Sequence, residues 1–257
     1  MRRLVSAVPL CALLVLAQPS RASTEIDNAC DAHEEFLTTD VSLAQLAAAI
    51  AAGGPVDILA VGSATTVGSV TNTGEQSAAQ GGAFPWQMVR ALNAALPSVA
   101  FRLTVRGGRG MTAEDMLPLL DAALKERRYP LVLWQTGTVE AVRGLQPNGM
   151  LDVLHTGAER VRDAGGDLVL IDPQFSRFLR ANTDLDPYQG VMQQVATMPG
   201  VALFHRFDLM RAWANDGRID LERTPKADRD KALEGLNACL GKVLARFVLS
   251  GADLGKK

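Results

Sequence analysis

Three short segments of the 257-residue chain hold residue types used in acyl-transfer chemistry: Gly62-Ser63-Ala64-Thr65-Thr66, Gly107-Gly108-Arg109-Gly110 and Gly137-Thr138-Val139-Glu140. A hydroxyl becomes a nucleophile when a base lies within hydrogen-bond reach, and the oxyanion that follows needs N–H donors. Ser63 and Thr65 supply hydroxyls, and the glycine-rich segments supply backbone N–H groups. Bases are scarce: of the three histidines, His33 lies near the N-terminus, His155 falls inside a helical pattern, and only His205 follows a strand pattern. In Asp228-Arg229-Asp230-Lys231, a desolvated Lys231 can serve as a base, but its spacing from Asp228 equally suits a surface ion pair. Arg106, Arg109, Arg143 and Lys231 are four cations near strand and helix ends, suited to an anionic or acylated glycan group, while Glu140, Asp115 and Asp172 are close enough in sequence to neutralise them. Without a His cluster or a closely spaced Cys pair no metal is expected, and the Gly107–Gly110 spacing is not a dinucleotide fingerprint, so no cofactor is expected either.

These residues follow strands. Five short runs, residues 56–61, 101–105, 131–135, 167–171 and 201–204, are expected to be buried parallel strands covered on both faces. Amphipathic helical patterns fill 85–96, 112–127, 150–164 and 188–198, a helix over 41–52 leads in, and one over 224–250 closes the chain. Alternation of this kind predicts a three-layer α/β/α sandwich on a five-stranded parallel sheet, with a ligand crevice beyond the carboxyl ends of the strands. The longest loop, 64–83, is rich in Gly, Ser, Thr and Asn, and loops of that length are often functional. One domain over residues 56–250 is expected, after an N-terminal segment and helix over 23–55 and before a tail over 251–257.

The order and spacing of the three segments, with Asp172-Pro173-Gln174, Leu203-Phe204-His205-Arg206-Phe207 and Cys239-Leu240-Gly241 behind them, resemble the SGNH or GDSL-like hydrolases. The resemblance runs over nearly the whole chain after residue 22. It implies a flavodoxin-like sandwich, a Ser nucleophile, an oxyanion hole built from a Gly and an Asn, and a His base paired with an Asp three residues earlier. Carried over residue by residue, the nucleophile position holds Ala64, the Asn position Val139 and the His position Lys231, behind Asp228; only the oxyanion glycine matches, as Gly110, with Gly107 as a second registration. A second registration of the last block, Glu234-Gly235-Leu236-Asn237, also lacks His. Ser63 stands one residue early, and at a strand end a one-residue shift turns a side chain to the opposite face. In a serine protease such as subtilisin, loss of one triad member already costs on the order of 10⁴ to 10⁶ in turnover. The resemblance therefore implies a hydrolase scaffold without its chemistry. It would act as a binding or accessory protein for a carbohydrate or acyl ligand, using Ser63, Ala64, Arg106, Arg109, Gly110, Thr138, Val139, Arg143, Asp228 and Lys231. Two alternatives stand beside it: a divergent esterase or deacetylase using Ser63, Thr65 or a loop residue, and a periplasmic protein-interaction scaffold.

Composition frames these readings. With 47% hydrophobic and 21% charged residues the chain is globular rather than disordered or collagenous. Arg2 and Arg3 precede an apolar stretch over 4–17, and Ser20-Arg21-Ala22 reads as a cleavage site, so residues 1–22 are expected to be a secretory signal and the mature protein periplasmic or secreted. Cleavage would leave 23 basic against 28 acidic residues, a net charge of −5, which argues against nucleic acid as a partner. Cys11 would leave with the signal, and Cys30 and Cys239 are expected to pair in an oxidising compartment, the alternative being two buried thiols. No second apolar run is long enough for a membrane span.

Overall fold

A computed structural model describes residues 30–68 and 82–252. The expected signal segment, much of the 64–83 loop and the end of the tail lie outside the described residues. Five parallel strands, β1 Pro55–Gly62, β2 Ala100–Gly107, β3 Leu131–Gln135, β4 Asp167–Ile171 and β5 Val201–Phe204, form one sheet in the order β2-β1-β3-β4-β5. The last three strands have the bounds expected from their apolar runs. The first two extend one or two residues further because β1 pairs with β2 along its whole length, from Pro55 opposite Ala100 to Gly62 opposite Gly107.

Helices cover both faces. One layer consists of α1 Glu34–Leu37, α2 Ala44–Ala52, α4 Phe84–Ala95, α10 Arg206–Asn215 and α11 Arg229–Gly251, and it packs on Val56, Ile58, Leu133, Ile171 and Phe204. The other layer, α5 Ala113–Glu126, α7 Pro147–Asp163 and α9 Asp186–Val195, packs on Leu59, Val61, Val132, Trp134 and Leu170. Alternate residues of β1, β3, β4 and β5 thus serve opposite cores. β2 departs from the expected two-sided cover: at the sheet edge it alternates, with Phe101, Leu103 and Val105 on the first core and Arg102, Thr104 and Arg106 on the other face. Shorter helices, α3 Ala64–Val67, α6 Thr138–Arg143 and α8 Arg177–Asn182, follow strand ends or the loops beyond them.

Helix ends obey their local chemistry. Thr112 and Asp115 form a capping box at the start of α5, where the Thr112 hydroxyl accepts from the Asp115 N–H. Pro147 and Pro187 sit in the first turns of α7 and α9, where the missing N–H costs nothing. The closing helix is expected from residue 224; the chain instead makes a 3₁₀ turn at Lys226–Asp228 before α11 begins. α11 lies against α4 at Gly241, where an added Cβ would stand 2.4 Å from the Gln87 side chain and 2.6 Å from backbone. Cys30 and Cys239 are disulfide-bonded across a sequence separation of 209, fastening the N-terminal segment to α11.

Candidate functional site

The chain steps from β1 outward to β2 and returns on the other side of β1 at β3. This reversal places the crevice beyond the carboxyl ends of β1 and β3. Ser63 and Gln135 occupy those ends. Ser63 is the N-cap residue of α3 and is buried, at 8% exposure, while the next residue, Ala64, is exposed. The Ser63 hydroxyl donates to Gln135 Oε1 at 3.3 Å and is buried there. The same amide oxygen receives the Ser63 N–H at 3.3 Å, the Thr65 hydroxyl at 3.3 Å and the Thr66 hydroxyl at 3.1 Å. Four donors share one oxygen with two lone pairs, and together they fix the turn after β1 onto the end of β3.

The second wall comes from β2. Gly107 has φ +131°, and a Cβ there would stand 1.9 Å from the Gly62 carbonyl oxygen, so only glycine lets the two strand ends close together. Beyond it, the Gly110 carbonyl accepts from Arg143 Nη2 at 2.9 Å, which links the β2–α5 loop to α6. A second link is the buried Glu140 carboxylate, which accepts from the Ala113 N–H at 2.5 Å, the Thr136 hydroxyl at 2.7 Å and the Gly137 N–H at 2.9 Å. Val139 is half-buried and offers no donor, and Thr138 Oγ1 is buried with no hydrogen-bond partner among the described residues.

The third wall follows β4 and β5. Arg206, at 2% exposure, donates through Nη1 to Thr65 Oγ1 at 3.2 Å and through Nη2 to Gln174 Oε1 at 3.1 Å, with its guanidinium 5.3 Å from the centre of the Phe84 ring. Burial lowers its pKa to about 10, an effect partly opposed by the nearby Asp172 charge. Asp172 is itself buried and accepts from the Phe207 N–H at 2.8 Å and the Gln189 amide at 3.3 Å. Loss of hydration outweighs those bonds and the Arg206 charge, raising its pKa to about 7.

The four expected cations differ in their engagement. Arg106 pairs with Glu126 at 3.0 Å, Arg143 is held by Gly110, and Arg109 and Lys231 are exposed. Asp228 is exposed too and makes no ion pair with Lys231 among the described residues. No histidine hydrogen-bonds Ser63, Thr65 or Thr66 among the described residues. His155 lies 3.7 Å from Glu159 on an exposed helix face, and His205 is the N-cap residue of α10. No grouping of His, Cys, Asp and Glu among the described residues has the form of a metal site.

Gln135 and Arg206 are the residues that sequence reasoning undervalues. Gln135 carries one signal, a polar side chain ending an apolar strand run. Arg206 lies in the Leu203–Phe207 segment of the resemblance, but its contacts could not be read from spacing, since its partners Thr65 and Gln174 lie 141 and 32 residues away.

The sequence profile of the Non-GDSL lipase-like family matches residues 29–254. Among curated proteins none matches the chain. Solved structures share the fold. A mutant of an acetyl-xylooligosaccharide esterase from Geobacillus stearothermophilus is 15% identical with a TM-score of 0.59, the match covering 79% of this chain and 97% of that one. An alpha/beta hydrolase from the metagenome of Lake Arreo, Spain, is 17% identical with a TM-score of 0.54, covering 73% and 96%. A two-domain esterase active on acetylated mannans is 13% identical with a TM-score of 0.56, covering 80% of this chain and 54% of that chain. With a five-stranded parallel sheet in this order and a profile match across nearly all the described residues, the chain belongs to the Non-GDSL lipase-like family.

Proposed function

We propose that this is an exported member of the family that does not hydrolyse esters and uses the crevice to bind a carbohydrate or acyl ligand as an accessory protein. The observation that carries the reading is the contrast between Ser63 and Ala64. The Ser63 hydroxyl is buried on Gln135, and the exposed residue that follows has a methyl group. A methyl cannot attack a carbonyl, and Val139 cannot donate to an oxyanion. The polar support behind these positions, Gln135, Thr66, Glu140 and Arg206, remains fully embedded, so the crevice keeps its shape without a nucleophile on its surface. Export is supported by the leading segment and the Cys30–Cys239 disulfide. No described helix is long and apolar enough to cross a membrane.

One observation favours a second reading. The Thr65 hydroxyl is half-buried and accepts from the buried Arg206 guanidinium, a cation that would stabilise an alkoxide. A divergent esterase would use that hydroxyl. Hydrolysis of short acyl esters separates the two: the binding reading expects turnover at background, unchanged by Thr65→Val or Ser63→Ala. Turnover well above background that Thr65→Val abolishes would establish the esterase instead. The scaffold alternative predicts co-purification with a protein that Arg106→Glu and Arg143→Glu leave undisturbed.

A further inference from the structure

The largest concavities among those described lie over β4 and β5 rather than over Ala64. Three adjoining depressions of about 780, 570 and 410 Å³ run between α8 and α10, and all three are lined by Arg180 and Arg211. The smallest of them adds Phe175 and Arg177 and has no acidic side chain in its wall.

The guanidinium groups are arranged on an aromatic floor. Arg177 lies 5.8 Å from the centre of the Phe175 ring, Phe175 meets Phe207 edge-on at 5.4 Å, and Arg211 lies 5.8 Å from the centre of Phe207. Carboxylates hold both outer arginines in place, Asp220 at 3.0 Å from Arg177 and Asp208 at 2.7 Å from Arg211. Arg180 stands exposed between them and makes no ion pair among the described residues. A planar guanidinium has five donors, so even the paired arginines keep N–H groups for a ligand.

We infer that this groove binds an acidic oligosaccharide, its carboxylates taken by Arg180 and its neighbours. The wall chemistry selects that class. Glu35 and Asp208 in the largest depression, and Asp184, Asp186 and Asp208 in the next, share the wall with Arg180 and Arg211, so the arginines are unopposed only in the smallest. These carboxylates suit a ligand rich in hydroxyl donors and sparse in negative charge, and they repel a dense polyanion. Asn215 adds a neutral donor and acceptor at the same wall. The inference goes beyond the crevice reading and does not rest on it, since none of these residues follows β1, β2 or β3.

Calorimetric titration of the full chain with a neutral oligosaccharide bearing a single uronate, glucuronosyl-xylotetraose, tests this, with its methyl ester and inorganic polyphosphate as comparators. The expected result is saturable binding of the free uronate form alone. Arg180→Glu is expected to weaken it by about tenfold or more, with an unchanged circular dichroism spectrum, and Arg143→Glu to leave it unaltered. Absence of binding, equal binding of the neutral ester or tighter binding of polyphosphate would overturn the proposal. So would binding that survives Arg180→Glu but fails in Arg143→Glu, because that places the ligand in the crevice. Ester hydrolysis is read separately, so an active esterase would remove the crevice reading and leave the groove standing.

Discussion

Arg206 Nη1 and Thr65 Oγ1 meet at 3.2 Å, joining the helix after β5 to the turn after β1 across the ends of β3 and β4. Thr65 in turn donates to Gln135, so one hydroxyl connects a buried cation to the amide that collects the whole turn. Gln135→Leu removes that acceptor at a site only 2% exposed. Buried donors on Ser63 and Thr66 then lose their partner, each at a cost of about 1–3 kcal/mol. Urea denaturation is expected to show a loss of about 2–4 kcal/mol with the fold retained; a loss no larger than that of a surface substitution would mean that the donors find other acceptors.

Asp172 makes stability depend on pH. Its pKa in the folded protein is about 7, against about 4 in an unfolded chain. Between those values the folded state holds a proton that the unfolded state has released, so this group stabilises fully at the acidic end and loses its contribution as pH rises through 7. Asp172→Asn keeps a similar shape without the charge. The difference in stability between the variant and the wild type is expected to move in the variant's favour by on the order of 2–4 kcal/mol from pH 5 to pH 8. Parallel curves would show that Arg206 keeps the carboxyl ionised throughout.

The architecture is legible in the sequence where burial is two-sided. β3, β4 and β5 are apolar apart from Gln135 and Asp167 at their ends, and their bounds are those expected. α10 is not among the expected helices, although Phe207, Met210, Trp213 and Ala214 have helical spacing and are buried. It directly follows β5 with only His205 between, and no turn residue announces the change. The site divides in the same way. Ser63 is buried on Gln135 while Ala64 is exposed, a difference between successive residues of the kind a strand end produces. The meeting of Arg180 with Arg211 depends on two connections bringing α8 and α10 together, which residue spacing does not encode.

The disulfide supplies a further measurement. Cys30 and Cys239 close a loop with a sequence separation of 209, and the loop entropy removed from the unfolded chain sets an upper figure of about 5 kcal/mol. Around the bond, Phe36 and Trp213 pack into the same core, and the Trp213 indole N–H donates to the Asp31 carbonyl at 2.7 Å. The N-terminal segment therefore keeps some attachment without the bond. Replacing both cysteines by serine is expected to cost about 2–5 kcal/mol in denaturant unfolding; no change would show that the noncovalent contacts already hold the segment.

Rebuilding the chemistry tests the crevice reading most directly. Ala64 is exposed at the first residue of α3, so Ala64→Ser would present a hydroxyl to the crevice, unlike Ser63, whose hydroxyl is committed to Gln135. That hydroxyl alone lacks a base and an oxyanion donor, and triad members act as a unit. Single variants Ala64→Ser, Val139→Asn and Lys231→His are therefore expected to stay at the wild-type background on short acyl esters. The combined variant, with Asp228 three residues before the new base, is expected to rise above all of them. A wild type that already matches the combined variant would contradict the loss of hydrolysis. A rise in Lys231→His alone would point to Thr65, the hydroxyl already bound by Arg206, as the nucleophile.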